Sequence, residues 1–128
     1  MKRILFPSLI LLSILFTSCK KEEGVGGMAT IKGKIWMKEY TGGVLIDQYF
    51  APDHDVFIIY GEGNTYYDDK ISTSYDGSYE FRYLRPGRYK IFTYTKHEIT
   101  GNLSPEIRSV EISGKKDVIV LDDITVKD

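Results

Sequence analysis

The chain has 128 residues, of which 42% are hydrophobic and 13% aromatic, and a formal net charge of −1. That suits one small globular domain and is too apolar for a disordered chain. A near-balanced charge lacks the basic excess of a nucleic-acid-binding face, and the single Cys excludes an internal disulfide framework or a CxxC metal site.

Lys2 and Arg3 precede an apolar run, Ile4–Phe16, interrupted by Pro7, Ser8 and Ser13. A positive start and a short apolar region mark a secretory signal. The run is too short for a comfortable transmembrane span. It ends Leu15-Phe16-Thr17-Ser18-Cys19. This resembles the lipobox of bacterial lipoproteins, in which small residues precede a Cys that becomes the lipidated first residue. Phe16 stands where that family usually has Leu, Val or Ile. The resemblance implies a signal peptide over residues 1–18 and a membrane anchor on acylated Cys19. With no Asp after Cys19, it also implies the outer membrane of a Gram-negative cell, on its periplasmic or its surface face. The competing reading is an ordinary secretory leader with a chance Cys. Lys20-Lys21-Glu22-Glu23 resembles the charged tract that flags surface export in some lipoproteins, and reads equally well as a solvated tether. Gly24-Val25-Gly26-Gly27 continues a flexible linker. The expected division is therefore a tether over 19–27 and a domain over 28–128. Without Lys2 and Arg3 the chain carries 15 basic against 18 acidic side chains.

Met28–Lys38 reads as the first strand, with Ala29, Ile31, Gly33, Ile35 and Met37 on one face and lysines on the other. Trp36 falls on the lysine face, where it covers a sheet edge or serves as an exposed contact. Glu39–His54 is the least regular segment. Gly42-Gly43 marks a turn, Val44–Phe50 fits a short strand, and Pro52 closes it; a connection this long is often functional. Asp55–Tyr60 is a near-continuous apolar strand. Thr65–Thr73 is a weaker polar strand containing Tyr66 and Tyr67. Lys96–Pro105 reads as a loop, Glu106–Ile112 as an alternating strand, and Asp117–Val126 as the last strand.

Ser74–Tyr94 is the most informative stretch. Asp76-Gly77 is a tight-turn dipeptide. Tyr79 and Phe81 alternate with Glu80 and Arg82, and Leu84 breaks the alternation as if the strand ends there. Pro86-Gly87 fits the middle of a type II turn. Tyr89 and Ile91 then resume the apolar pattern. Leu84…Pro86-Gly87…Tyr89 has the spacing of a corner between two sheets, where a Tyr ring packs inside and its hydroxyl bonds backbone.

No stretch of the mature chain keeps helical apolar spacing. Short strands separated by turn signals predict an all-β fold, an immunoglobulin-sized Greek-key β-sandwich of about seven strands. The segments Ile31-Lys32-Gly33-Lys34-Ile35, Asp76–Phe81 and Leu84–Ile91 resemble the carboxypeptidase regulatory-like domain, a transthyretin- or prealbumin-type sandwich. Members of that family mostly serve as accessory, spacer or binding modules. The chain departs from the family in Glu39–His54, where members usually have a short Gly-rich turn.

Little catalytic chemistry is visible. His54 and His97 lie in different expected loops, and Asp53-His54-Asp55 reads as solvated turn acids beside a strand. The chain lacks GxSxG and P-loop motifs, and its C-terminus lacks the Tyr-Arg-Gly-Ser of the related hydroxyisourate hydrolases. The scattered aspartates show no EF-hand spacing, so neither a metal nor another cofactor is expected. An isopeptide crosslink of the kind found in related adhesin domains would draw on Lys32 or Lys34 and on Asp122 or Asp123, but Thr93 stands at the position of its catalytic acid. Aromatic residues in loops and polar strands remain as candidate binding residues: Tyr40, Tyr49, Phe50, Tyr66 and Tyr67, with Tyr75 beside them. The functional expectation is a non-catalytic binding or assembly module on an outer-membrane lipoprotein. Its partner would be an outer-membrane protein or a glycan. The alternative is a carbohydrate-binding module using Tyr49, Phe50, Tyr66 and Tyr67.

Overall fold

The computed structural model describes residues 22–128, so the signal segment and Cys19 lie outside the described residues. Among the described residues nine strands form two sheets: β1 (Val25–Thr41), β2 (Val44–Phe50), β3 (Asp55–Tyr60), β4 (Asp69–Ser72), β5 (Ser78–Leu84), β6 (Gly87–Lys96), β7 (Leu103–Ile112), β8 (Val118–Val120) and β9 (Ile124–Lys127). The all-β sandwich expected from the sequence is the architecture observed. The strand count exceeds the expected seven partly because Asp117–Val126 splits into β8 and β9, with residues 121–123 between them.

The first sheet is built on β1. Its even-numbered residues bond one side: the Thr30 N–H donates to the Asp117 carbonyl, and the Lys32 and Lys38 carbonyls accept from Leu121 and Asp128. Both β8 and β9 run parallel to β1 on that side. The opposite side takes β2 and β5, both antiparallel. Ile35 sits at their junction, its N–H donating to the Gly77 carbonyl and its carbonyl accepting from Ala51. The second sheet has the order β4-β3-β6-β7, all antiparallel.

The period-two pattern of the sequence supplies the core. Ala29, Ile31, Ile35 and Met37 of β1, with Tyr79, Phe81, Ile124 and Val126, face Val56, Ile58, Tyr89, Ile91, Val110 and Ile112 of the second sheet. Thr93 is a buried polar residue on this face; its hydroxyl donates to the Asp55 carbonyl at 2.8 Å, which offsets its burial, as the Thr73 hydroxyl does on the Ala51 carbonyl.

The corner between the sheets forms as expected, because it joins β5 of the first sheet to β6 of the second. Tyr83 takes a left-handed φ of 59°, adding one residue to β5 relative to β1. That bulge turns Leu84 into the core, which is why it broke the alternation. The type II turn does not form. Gly87 has φ of 147°, not the roughly +80° that the turn requires at this position. The Tyr89 hydroxyl organises the corner instead, donating to the Arg85 carbonyl at 2.6 Å and accepting from the Gly24 N–H at 2.9 Å.

Three further expectations are corrected. The supposed tether is partly strand, because β1 begins at Val25 and the Gly24 carbonyl accepts from the Arg85 N–H. Glu39–His54, expected as the least regular segment, is mostly a β1–β2 hairpin; its turn at Gly42-Gly43 and strand Val44–Phe50 form as expected, with a register shift between Glu39 and Tyr40. Gly42 and Gly43 both have positive φ, 58° and 80°, the pair a twisted two-residue connection needs. Tyr66 and Tyr67 precede β4, which covers Asp69–Ser72 alone.

Candidate functional site

The outer face of the second sheet carries a cluster of rings. In β3, Val56 and Ile58 point inward, so Phe57 and Ile59 point out; in β6, Tyr89, Ile91 and Thr93 point inward, so Phe92 and Tyr94 point out. Phe57 and Phe92 are cross-strand partners. Their rings stack with centroids 4.9 Å apart and planes 10° apart. Tyr94 meets both edge-on, at 5.6 Å and 5.7 Å. Such pairs add about 0.5–1.5 kcal/mol each beyond the area they bury.

Tyr67 reaches this cluster from the loop after β3. The Asp68 N–H donates to the Ile58 carbonyl, and the Asp68 carboxylate accepts from the Tyr60 N–H at 2.7 Å. These bonds fold the loop back, and the Tyr67 ring lies edge-on to Phe57 at 5.0 Å. In β7, Ile107 stands opposite Phe92 and Pro105 opposite Tyr94. Phe92 is covered, whereas Tyr67 is 47% exposed, Tyr94 42% and Ile107 51%. The result is a continuous apolar surface with two phenol groups at its margin.

An open groove of about 260 Å³ adjoins this face, sharing Phe57 and Tyr94 with it and adding His54, Lys96 and Asp128. Lys96 Nζ pairs with the Asp128 carboxylate at 2.7 Å. Burial lowers the His54 pKa below its ordinary value, with the Tyr94 carbonyl and the Asp55 charge acting the other way. The half-buried imidazole, Lys96 and Asp128 give the groove hydrogen-bonding groups beside the exposed Tyr94 ring. Among the described residues no group of three or more His, Cys, Asp or Glu is placed to hold a metal.

The structure divides the residues singled out from the sequence. Tyr67 joins the ring cluster, and Tyr66 beside it is 83% exposed. Tyr40, Tyr49 and Phe50 lie on the β1–β2 hairpin of the other sheet. Tyr49 packs against the core, and its hydroxyl donates to the Glu39 carboxylate, a bond that pushes its pKa up to about 12. Phe50 meets Trp36 edge-on at 4.9 Å and lies 4.7 Å from Lys34 Nζ. Trp36 also donates to Gln48, so it covers the hairpin. Lys127 Nζ lies 5.6 Å over the Tyr40 ring. Lys32, Asp122 and Asp123 are exposed, unlike the buried groups a crosslink needs.

Phe57, Phe92 and Tyr94 escaped the sequence reading because they sit in strands and look like core. The signal was present: Val56-Phe57-Ile58-Ile59 and Ile91-Phe92-Thr93-Tyr94 are apolar or aromatic out of phase with the inward series, so both faces of these strands are hydrophobic.

No family model matches the chain. No curated protein matches it. Among solved structures it is similar to a crystal structure from Pseudomonas aeruginosa, provisionally described as a carbohydrate binding protein. The TM-score is 0.47 and the identity 13%, over 75% of this chain and 88% of that one.

Proposed function

We propose that this chain is a lipid-anchored, non-catalytic binding module, held in the outer membrane by acylated Cys19, whose contact surface is the ring cluster on the outer face of the second sheet. One observation carries the reading. Phe57, Phe92, Tyr94 and Tyr67 pack on one another on the outer face of the second sheet, where Tyr67, Tyr94 and Ile107 stay about half exposed among the described residues. Exposed contiguous apolar surface of this kind marks interaction sites, and aromatic anchors dominate binding energy there. The partner is a protein, because a stacked ring pair flanked by edge-on rings, beside Ile107 and Leu103, offers a broad apolar surface rather than one open ring plane. The Tyr89 corner supports reading the domain as a carboxypeptidase regulatory-like sandwich.

A second reading is carbohydrate binding. It is favoured by the groove beside Tyr94, where His54, Lys96 and Asp128 place hydrogen-bonding groups next to an exposed ring.

The deciding experiment compares the native lipoprotein with Tyr67→Ala/Tyr94→Ala. Both rings are half exposed, so the variant is expected to stay folded by circular dichroism. Cross-linking in native membranes is expected to capture a protein with the native chain and far less of it with the variant. Equal capture by both overturns the assignment of this face. Saturable binding on a glycan array, lost in the variant, selects the carbohydrate reading instead. Cys19→Ser is expected to leave the membrane fraction. An intact mass without acyl chains on Cys19 overturns the anchor.

A further inference from the structure

We propose that the end of the sandwich where β1 begins seats directly on the membrane, holding a phospholipid headgroup phosphate between Arg85 and Lys115. The inference rests on the lipid anchor proposed above.

The reach of the chain comes first. Gly24 is already part of the folded body: it is buried, its N–H donates to the Tyr89 hydroxyl, and its carbonyl accepts from the Arg85 N–H. Five peptide steps from Cys19 to Gly24 span at most about 18 Å. An acyl chain on Cys19 therefore brings this end of the domain, and not the β1–β2 hairpin, to the bilayer. Val25 and Ala29 both pair with Leu84, so β1 advances from about Ala29, and its residues from there to Thr41 at about 3.3 Å each put its far end roughly 40 Å away.

This end has the chemistry of a headgroup surface. A hollow of about 340 Å³ is lined by Gly26, Gly27, Met28, Arg85, Pro86 and Lys115. The two glycines let the chain pass close against Leu84 and Arg85. A Cβ on Gly27 would stand 2.2 Å from the Leu84 carbonyl oxygen, and one on Gly26 2.7 Å from the Arg85 guanidinium. The backbone thus lies flat under Arg85. Arg85 spends one donor on the Glu22 carbonyl, at 3.2 Å. Among the described residues no carboxylate comes within ion-pair distance of Arg85 or Lys115. Asp117, the acid of the adjoining loop, is turned onto the Gly114 N–H at 2.8 Å. Glu23 accepts from the Arg88 N–H at 3.5 Å, and Glu22 is exposed. A guanidinium fork and a lysine over backbone are suited to phosphate oxygens. Around them Val25, Met28 and Val118 are 58%, 64% and 58% exposed, apolar side chains able to enter the headgroup boundary.

The test uses the full acylated chain in vesicles of phosphatidylethanolamine and phosphatidylglycerol that contain a lipid-phase quencher. Cys19 is the single Cys and is blocked by its acyl chain, so a fluorophore can be placed at Met28→Cys or Thr41→Cys alone. Quenching is expected to be several-fold stronger at position 28 than at 41. Lys115→Glu and Arg85→Glu are each expected to shift the seated population by roughly fivefold or more, with the protein still floating with the vesicles. Lys115 makes no ion pair among the described residues, so that variant keeps the test valid if Arg85→Glu misfolds. Equal quenching at 28 and 41 on floating protein overturns the seating and leaves the anchor standing. Quenching at 28 that neither charge variant changes overturns the phosphate site. Failure to float overturns the anchor and the seating together.

Discussion

The hydroxyl of Tyr89 donates to the carbonyl oxygen of Arg85, four residues earlier in the chain, at 2.6 Å. It also accepts from the Gly24 N–H, so one side chain joins the start of β1 to the corner between the sheets. Tyr89→Phe keeps the ring in the core and strips both backbone groups of a partner. A buried group left unsatisfied costs about 1–3 kcal/mol, a large share of the roughly 5–15 kcal/mol that holds a domain together. Urea denaturation is expected to show a lower midpoint at unchanged slope, with faster amide exchange at Gly24. An unaltered midpoint would show that the bond contributes nothing.

Gly87 is the second point of sensitivity at this corner. Its φ of 147° disfavours side chains, and a Cβ there would stand 2.2 Å from Glu23 Cγ. Gly87→Val is expected to lower the melting temperature through backbone strain of about 1–3 kcal/mol plus the clash. Glu23→Ala in the same chain relieves the clash alone, because the Glu23 side chain can move and the backbone cannot. Full recovery in the double variant would place the whole effect on Glu23.

Tyr79 behaves in the opposite sense. Its hydroxyl is buried against Gly33 without a hydrogen-bond partner among the described residues. Burial pushes its pKa up to about 12, against about 10 in an unfolded chain. Between those values the unfolded state loses the proton first, so this residue's share of stability is present below about pH 10 and is lost as pH rises towards 12. Tyr79→Phe removes the unpaired hydroxyl and this titration. It is expected to gain about 1 kcal/mol at neutral pH and to flatten the alkaline fall in melting temperature. A loss of stability at neutral pH would mean that the hydroxyl has a partner.

Local chemistry made much of the fold legible. Alternation along Ala29–Met37 and Tyr79–Phe81 assigns inward faces, because side chains on a strand change sides at every residue. Gly42-Gly43, Asp76-Gly77 and the Leu84–Tyr89 spacing mark places where the backbone turns, since positive φ is cheap for Gly alone. These readings need only neighbours in sequence. The type II turn failed because Gly87 is set by contacts with Glu23 and by the Tyr89 bonds, made 64 residues or more along the chain from the Glu23–Gly24 end. The tether failed for the same reason: Gly24-Val25-Gly26-Gly27 has the composition of a linker, and Arg85 and Tyr89 make it part of the body.

The candidate site depended more heavily on distance. A strand apolar on both faces reads as core, and the sequence by itself determined no more than that for Phe57 and Phe92. Which face meets the other sheet and which stays open is decided by the partners of β3 and β6, and those partners lie far away in the chain. Only Tyr67 was legible as a contact residue, as an aromatic in a polar segment read as a strand; the Asp68 bonds that fold it into a loop before β4 were not. The sequence by itself determined a small all-β domain, its inward series and its turn positions, since period-two alternation and positive-φ glycine act over a few residues. Only the tertiary structure decided that four rings share an outer face and that the chain has left its linker by Gly24, because both follow from pairing between segments that sequence distance keeps apart.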